Sequence, residues 1–367
     1  MAGTEDQGCT GAPKSGPSRW LGRLAVTYAV AALAGAIAHW LGLPLPWMLG
    51  PFFAFAALSV SGFEFELLPH GRELGQVAIG SAVGLRFTVD VLSAVATLLP
   101  AMLAATAYVM VFTMLAAFLI QPLARMDKNT AFFATAAGGM ADMAHVAERH
   151  GGAAGAVAVV HSMRVSLVVA VVPFLVFFFG EQGTAIVVQG HSPDNLALVA
   201  LALGAGLLTA RLLKGSPLPN RWLVGPIFSG MALGASGLVE VTIPGVLILL
   251  AQIALGTWLG CRFQRNMLAA LPRVTAAAVI VAAFMILCAA FGALVLAGMT
   301  ELSYTTSFLA LAPAAVTEMV LTAQVMNLDS EVVSAFHVMR IAVISSTILV
   351  MFRVYGKIRE ATLGSGT

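Results

Sequence analysis

Two carboxylates stand inside apolar stretches of this chain. Asp142 lies in AFFATAAGGMADMAHV and Glu318 in SFLALAPAAVTEMVLT. An acid within an apolar run is costly and usually functional, as a site for a coupling proton or cation. Downstream of each comes a basic couple, His161 with Arg164 and His337 with Arg340. Spacing of three residues puts imidazole and guanidinium on one helix face. Each arginine either neutralises the acid of its own half or receives an anionic substrate, since a forked donor suits a carboxylate. The histidines either relay a proton or serve as hydrogen-bonded structural groups. Gly138, Gly139 and Pro313 break the runs just ahead of the acids, and Thr317 adjoins Glu318. Backbone groups freed at such breaks are natural ion or substrate ligands.

These residues come in pairs. GQVAIGSAVGLRF (75–87) matches AQIALGTWLGCRF (251–263), and the interval from Gln76 to Gln252 is 176 positions. The same interval links Arg86 to Arg262, Thr130 to Thr306, Asp142 to Glu318, His161 to His337 and Arg164 to Arg340. An internal duplication in an apolar chain marks a channel or transporter built from two related halves. Gln76 and Gln252 lie near glycines at 80/84 and 256/260, a spacing that means close helix packing, so they are read as structural or secondary contributors. Asp142, His145 and Glu148 have metal-ligand spacing on a helix, but their counterparts Glu318, Leu321 and Gln324 do not keep it, so no metal is expected.

The elements that must position these residues are membrane helices. The chain is 59% hydrophobic and 10% charged, far below the share of about 25% charged residues in soluble domains. Net charge of +2 says nothing about nucleic acid, but the only polar segment of any length is residues 1–18, so no soluble basic domain is there to bind it and no nucleic-acid partner is expected. Cys9, Cys261 and Cys288 form neither a disulfide framework nor a metal pattern. Arg19 and Arg23 ahead of an apolar run ending Ala36-Ile37-Ala38 imitate a signal peptide, but the element recurs at 195–213, so a retained membrane helix is expected.

Apolar segments fall near 20–42, 44–62, 67–85, 91–121, 129–149 and 154–180, and again near 195–213, 222–240, 243–261, 274–300, 305–326 and 331–352. If all cross the membrane, Lys and Arg divide evenly between the two sides. If 129–149 and 305–326 instead dip in and return, every Lys and Arg outside the two buried couples except Arg86 falls on one side. The positive-inside rule chooses the second arrangement. The expectation is an all-α polytopic protein of the bacterial inner membrane, with both termini cytoplasmic. It has two inverted repeats, each of about five transmembrane helices plus a re-entrant or broken-helix hairpin. The expected division is a disordered tail 1–18, repeats 19–190 and 191–355, and a cytoplasmic tail 356–367.

The paired GQxxIG and AQxxLG segments, AAGGMADM with its echo APAAVTEM, and the HxMR that follows each resemble the AbrB family of membrane proteins. Such proteins consist of two copies of an AbrB duplication domain. Members have been labelled ammonia monooxygenases and regulators of gene expression. The residues offer no copper or iron site for the first activity and no DNA-reading element for the second, so regulation would be indirect. The architecture is similar to cation/proton antiporter and anion transporter folds, which implies a secondary transporter. Expected partners are membrane lipid, a small organic anion and a coupling H⁺ or Na⁺, with no cofactor. A homodimer is the usual assembly for transporters of this build. Asp142 and Glu318 would bind the ion, and Arg164, Arg340, His161, His337, Gly138, Gly139, Pro313 and Thr317 would form the substrate site.

Overall fold

The computed structural model describes residues 17–180, 195–216, 220–237, 241–263 and 271–363. Among them the chain is helical, as the sequence predicts. The first repeat holds α1 (Pro17–Trp40), α2 (Pro46–Val60), α3 (Gly71–Gly84), α4 (Val89–Thr97), α5 (Leu99–Ala124), α6 (Lys128–Thr135), α7 (Met140–Arg149) and α8 (Ala154–Phe179). The second holds α9 (Leu196–Leu212), α10 (Arg221–Ala235), α11 (Gly245–Gly260), α12 (Pro272–Met299), α13 (Tyr304–Leu311), α14 (Val316–Val325) and α15 (Ser330–Leu363). Helices α1, α5, α8, α12 and α15 are each long and apolar enough to cross a bilayer, and α2, α9 and α11 are shorter apolar helices. The protein is therefore a multi-pass membrane protein. Most of the tail expected to be disordered, residues 1–16, lies outside the described residues, as does Arg265.

Two features differ from the sequence reading. The segment 91–121 is not one helix: α4 ends at Thr97, α5 starts at Leu99, and α3 and α4 meet at 90°. Hydropathy cannot mark this joint because both sides are apolar. Local chemistry does: the Thr88 hydroxyl caps α4 by accepting from the Val91 amide, and Pro100, without an N–H, sits in the first turn of α5. The last helix also runs on to Leu363, through most of the expected tail, where Glu360 approaches Lys128 at 3.8 Å.

The helices sort into two bundles, each drawing on both repeats. In the first, α3 packs on α10 and α11, α2 packs on α11, and α1 and α9 flank the group on α2 and α10. Large apolar side chains on the outer helices, such as Leu33 and Leu208, stay exposed, as befits a lipid-facing layer. In the second, α5 and α12 pack together, α12 also lies on α8 and α13, and α5 lies on α6 and α15. Neither repeat is a packing unit by itself, because each buries its apolar face against the other.

Glycine sets the closest of these contacts. A Cβ on Gly80 would lie 2.6 Å from the Leu223 carbonyl oxygen, and one on Gly260 2.6 Å from that of Phe52. The neighbour is backbone in both cases and cannot move aside. The duplicated glycine spacing is thus the seam by which α3 grips α10 and α11 grips α2. Gly80→Ala is expected to lower stability by about 1–3 kcal/mol through forced separation of the helices. Gly298→Ala, on an exposed face with nothing within 4 Å, is expected to leave the melting temperature unchanged. Thermal unfolding of the detergent-solubilised variants checks both.

Candidate functional site: two broken hairpins and their clamps

Each unusual apolar segment is two short helices joined by an extended break. Residues 136–139 separate α6 from α7, and residues 312–315 separate α13 from α14. The flanking backbone is alike in the two halves: Ala136 has φ −52° and ψ 140°, and Ala312 has φ −55° and ψ 135°. Gly139 and Ala315 are also extended, with ψ of 138° and 149°. None of these values needs the left-handed region, which is why Gly138-Gly139 in one half can be Ala314-Ala315 in the other.

Both segments turn back on themselves. The Asn129 side chain donates to the His150 carbonyl at 2.6 Å, and the Ala153 amide donates to the Thr130 hydroxyl at 2.8 Å. In the second half the Thr306 hydroxyl reaches the Asp329 carboxylate at 3.3 Å. Start and end of each segment therefore meet, and the duplicated Thr130 and Thr306 latch the two hairpin bases. Asp127 and Ser303 occupy matching N-cap positions. Partial burial opposes the Asp127 charge, but hydrogen bonds from the Thr130 hydroxyl and from the Thr130 and Asn129 amides outweigh it and hold this carboxyl below its ordinary range. Its contribution to stability is present at neutral pH and lost as pH falls through that lowered value.

The arginines do not pair with the acids. Arg164, on α8, donates through Nη1 to the carbonyls of Thr135 and Ala136 at 3.1 and 3.0 Å. Arg340, on α15, donates to Ala312 and Ala314 at 3.0 and 3.3 Å. The carbonyls of Thr135, Ala136 and Ala312 close α6 and α13, where the helix dipole is negative and the last C=O groups lack partners, and that of Ala314 lies in the break beyond. Each guanidinium is thus a cap on a broken helix. No Arg164–Asp142 or Arg340–Glu318 ion pair occurs among the described residues.

The histidines complete the clamps. His161 Nε2 bonds the Phe133 carbonyl at 3.0 Å, and its Nδ1 faces Arg164 Nη2 at 3.1 Å. His337 repeats this with Leu309 and Arg340, at 2.9 and 2.6 Å. A guanidinium only donates, so Nδ1 must accept and Nε2 must carry the proton. Both rings are held as neutral tautomers with each nitrogen engaged, which fits the structural reading better than the relay. The two arginines are near enough for Arg164 to act electrostatically on Arg340, so the clamps converge as the symmetric register implies.

The acids differ sharply. Asp142 lies exposed in the first turn of α7, beside His145. Glu318 is buried in the first turn of α14, and its Oε2 has no hydrogen-bond partner. Helix α14 is buried along most of its length and packs on α3, whereas α7 leaves Ala141, Asp142, His145 and Glu148 exposed. The second hairpin is docked on the first bundle along α14, whereas the first leaves one face of α7 exposed and meets that bundle at its tip.

At the docked tip, Thr317 accepts from Gln76 Nε2 at 3.2 Å and from Asn220 Nδ2 at 3.3 Å. Gln76 thus does more than pack, while Gln252 lies buried on α11 where Gly75 of α3 meets Ala251. Pro313 is buried in the second break, and Gly138 lies under the Met143 side chain. At the other tip, Met140 Sδ receives Arg262 Nη2 at 2.7 Å and Ser162 Oγ at 3.5 Å. Arg86, the one cation misplaced by the charge rule, pairs with Glu331 at 2.5 Å. Sequence reasoning missed Arg72, Trp258, Asn220, Met140 and Ser162. Arg72 and Trp258 have Ile248 and Ala82 as counterparts, so a filter for duplicated residues passes over them. No group of three or more His, Cys, Asp or Glu positioned for a metal occurs among the described residues.

Fold and site together define a multi-pass helical membrane protein with two broken hairpins held by paired His–Arg clamps. The chain belongs to the AbrB family, whose sequence model, described as transition state regulatory protein AbrB, matches residues 63–356. It is similar to the uncharacterized protein YhjN of Bacillus subtilis (strain 168), at 24% identity over 354 residues covering 89% of this chain and 91% of that one. It is also similar to the protein named "Putative regulator AbrB" of Escherichia coli (strain K12), at 24% identity over 310 residues covering 82% and 86%.

A cap and an ion pair predict different mutational couplings. Arg340→Gln is expected to cost about 2–4 kcal/mol by uncapping buried carbonyls. Combining Arg164→Gln with Asp142→Asn should give additive losses, with coupling below about 0.5 kcal/mol. A double-mutant cycle on thermal or chemical unfolding measures it.

Proposed function

We propose that this protein is a secondary transporter of a small organic anion, coupled to H⁺ or Na⁺. The observation that carries the reading is the pair of broken hairpins, alike in backbone and clamping, whose tips lie against helices of the other bundle. Broken helices at membrane depth are tolerated only where protein or a watery cavity satisfies the backbone, and such breaks recur at transporter sites. Asp142 and Glu318 carry the coupling ion at the two tips. Because the Glu318 hairpin is docked and the Asp142 hairpin is open, this arrangement is one of two, the other having the roles exchanged. Movement of the second bundle against the first converts one into the other. Arg164 and Arg340 serve this reading by holding the tips in shape.

In this reading the protein sits in the bacterial inner membrane with both termini in the cytoplasm, the first hairpin entering from that side and the second from outside. The name of the E. coli relative supports a second reading, an indirect role in regulating gene expression. The two are separated by whether flux is found, or instead a protein partner captured reproducibly with no flux.

Reconstituted into liposomes with an imposed proton or sodium gradient, the protein is expected to accumulate labelled carboxylates. Asp142→Asn and Glu318→Gln are each expected to cut the gradient-driven rate at least about tenfold, equal to about 1.4 kcal/mol. Undiminished uptake in both variants would contradict the mechanism. A cysteine at Asn327 should label from outside and one at Gly151 only from inside, as membrane-impermeant maleimide on oriented vesicles would show.

A further inference from the structure

Among the described residues, polar contacts tie the docked hairpin and the helix that follows it to the first bundle. Thr317 of α14 accepts from Gln76 of α3 and from Asn220, which stands at the N-cap position of α10. Arg86, just past the end of α3, pairs with Glu331 and reaches the Ser330 hydroxyl through Nη1 at 3.5 Å. Ser330 and Glu331 open α15, and both are buried, as is Thr317. Met140 of the open hairpin meets the first bundle through Arg262.

The duplication shows what would face these residues if the hairpins exchanged roles. At the 176-position interval, Thr317 answers to Ala141, Ser330 to Ala154, Glu331 to Gly155, and Val316 to Met140. Asn220 answers to Leu45: each stands two residues before the Trp of a matched Trp-x-x-Gly-Pro segment, and each is left-handed, with φ of 55° and 43°. Gln76 and Arg86 keep polar duplicates, Gln252 and Arg262. Gln252 is buried and makes no side-chain hydrogen bond among the described residues. In the exchanged arrangement it would meet Ala141 and Leu45, neither of which has a polar side chain. Asp142, next to Ala141, is the acid that the transport reading gives to the coupling ion. Arg262 would meet Ala154 and Gly155, where Arg86 now has a hydroxyl and a carboxylate.

We propose that the arrangement with the Glu318 hairpin docked is the resting state, locked by Thr317, Asn220, Ser330 and Glu331 on Gln76 and Arg86, and that the first hairpin docks in turn at Gln252 without such a lock. This deepens the transport reading, as the regulation of its two states, and rests on it. Thr317, Asn220, Ser330 and Glu331 are positioning residues: they set which hairpin is docked and are not given to solute or ion. Breaking the lock leaves the buried groups of Thr317 and Glu331 short of partners, so each lost contact weighs against leaving the resting state. The exchanged state gains no equivalent side-chain contact. Bound ion or solute must supply the difference, since a ligand shifts a balance only by binding one state more tightly. An empty carrier therefore waits with the Asp142 side open.

The test uses full-length detergent-purified protein in which Cys9, Cys261 and Cys288 are replaced, and reads the rate of maleimide labelling. Leu321 is fully buried on α14, whereas its counterpart His145 is exposed on α7, so Leu321→Cys reports departure from the docked arrangement. Ala278→Cys, fully buried in the second bundle, reports general loosening. Thr317→Ala with Glu331→Gln is expected to speed labelling at position 321 about tenfold, through loss of a hydrogen bond and a charge-assisted contact, with position 278 unchanged. Ala141→Thr, at an exposed site, gives Gln252 a hydroxyl and should speed labelling at 321 about threefold. Gln252→Leu should cancel that gain. An unchanged rate at 321 in the lock variant, an equal rise at 278, or no gain from Ala141→Thr would overturn the inference. If the lock variant fails to fold, Ala141→Thr decides alone. Uptake in liposomes, measured separately, keeps the two readings apart: flux without the labelling response overturns the lock alone, and the response without flux overturns transport while the two hairpin states stand.

Discussion

A chain that breaks its helix at membrane depth leaves carbonyl groups with no water to satisfy them. Everything distinctive in this protein follows from how that demand is met twice. A guanidinium three residues after an imidazole, on the neighbouring long helix, reaches across to the last carbonyls of the broken half-helix. The imidazole bonds a carbonyl one turn earlier and accepts from the guanidinium with its other nitrogen. Charge, dipole and hydrogen bonds are matched within one couple, so a buried arginine is held without a carboxylate. The acids are thereby left out of the two clamps.

That release matters for function. An acid locked to an arginine would be a structural ion pair, whereas Asp142 and Glu318 sit in the first turns of their half-helices, apart from Arg164 and Arg340. Their unequal surroundings are the second consequence. Two halves with the same local chemistry have reached different contacts, one hairpin docked through Thr317, Gln76 and Asn220, the other touching the first bundle through Met140 and Arg262. Sequence symmetry with conformational asymmetry is the property that alternating access requires.

Much of this was legible in the residues. Duplication exposed the hairpins, the acids, the His–Arg couples and the latch threonines, because a fixed interval of 176 positions filters out lipid-facing residues that need only be apolar. Charge counting anticipated hairpins that return, and the contacts between Asn129 and His150 and between Ala153 and Thr130 close one in that way. Three things were out of reach. The partners of Arg164 and Arg340 are backbone carbonyls, which every residue carries and no sequence singles out. The split of α4 from α5 hides in uniform hydropathy. Arg72 and Trp258 stack across the two halves and have Ile248 and Ala82 at the duplicated positions, so the duplication filter passed over them.

The central claim is that the second bundle, carrying both hairpins, moves against the first. Cysteines at Gln76 and Thr317, in a background lacking Cys9, Cys261 and Cys288, can be joined by a short reducible thiol crosslinker, since the native side chains meet at 3.2 Å. The account predicts that the joined protein, reconstituted in liposomes, loses gradient-driven carboxylate uptake and regains it on reduction. Uptake at the unjoined rate with the crosslink complete would contradict it.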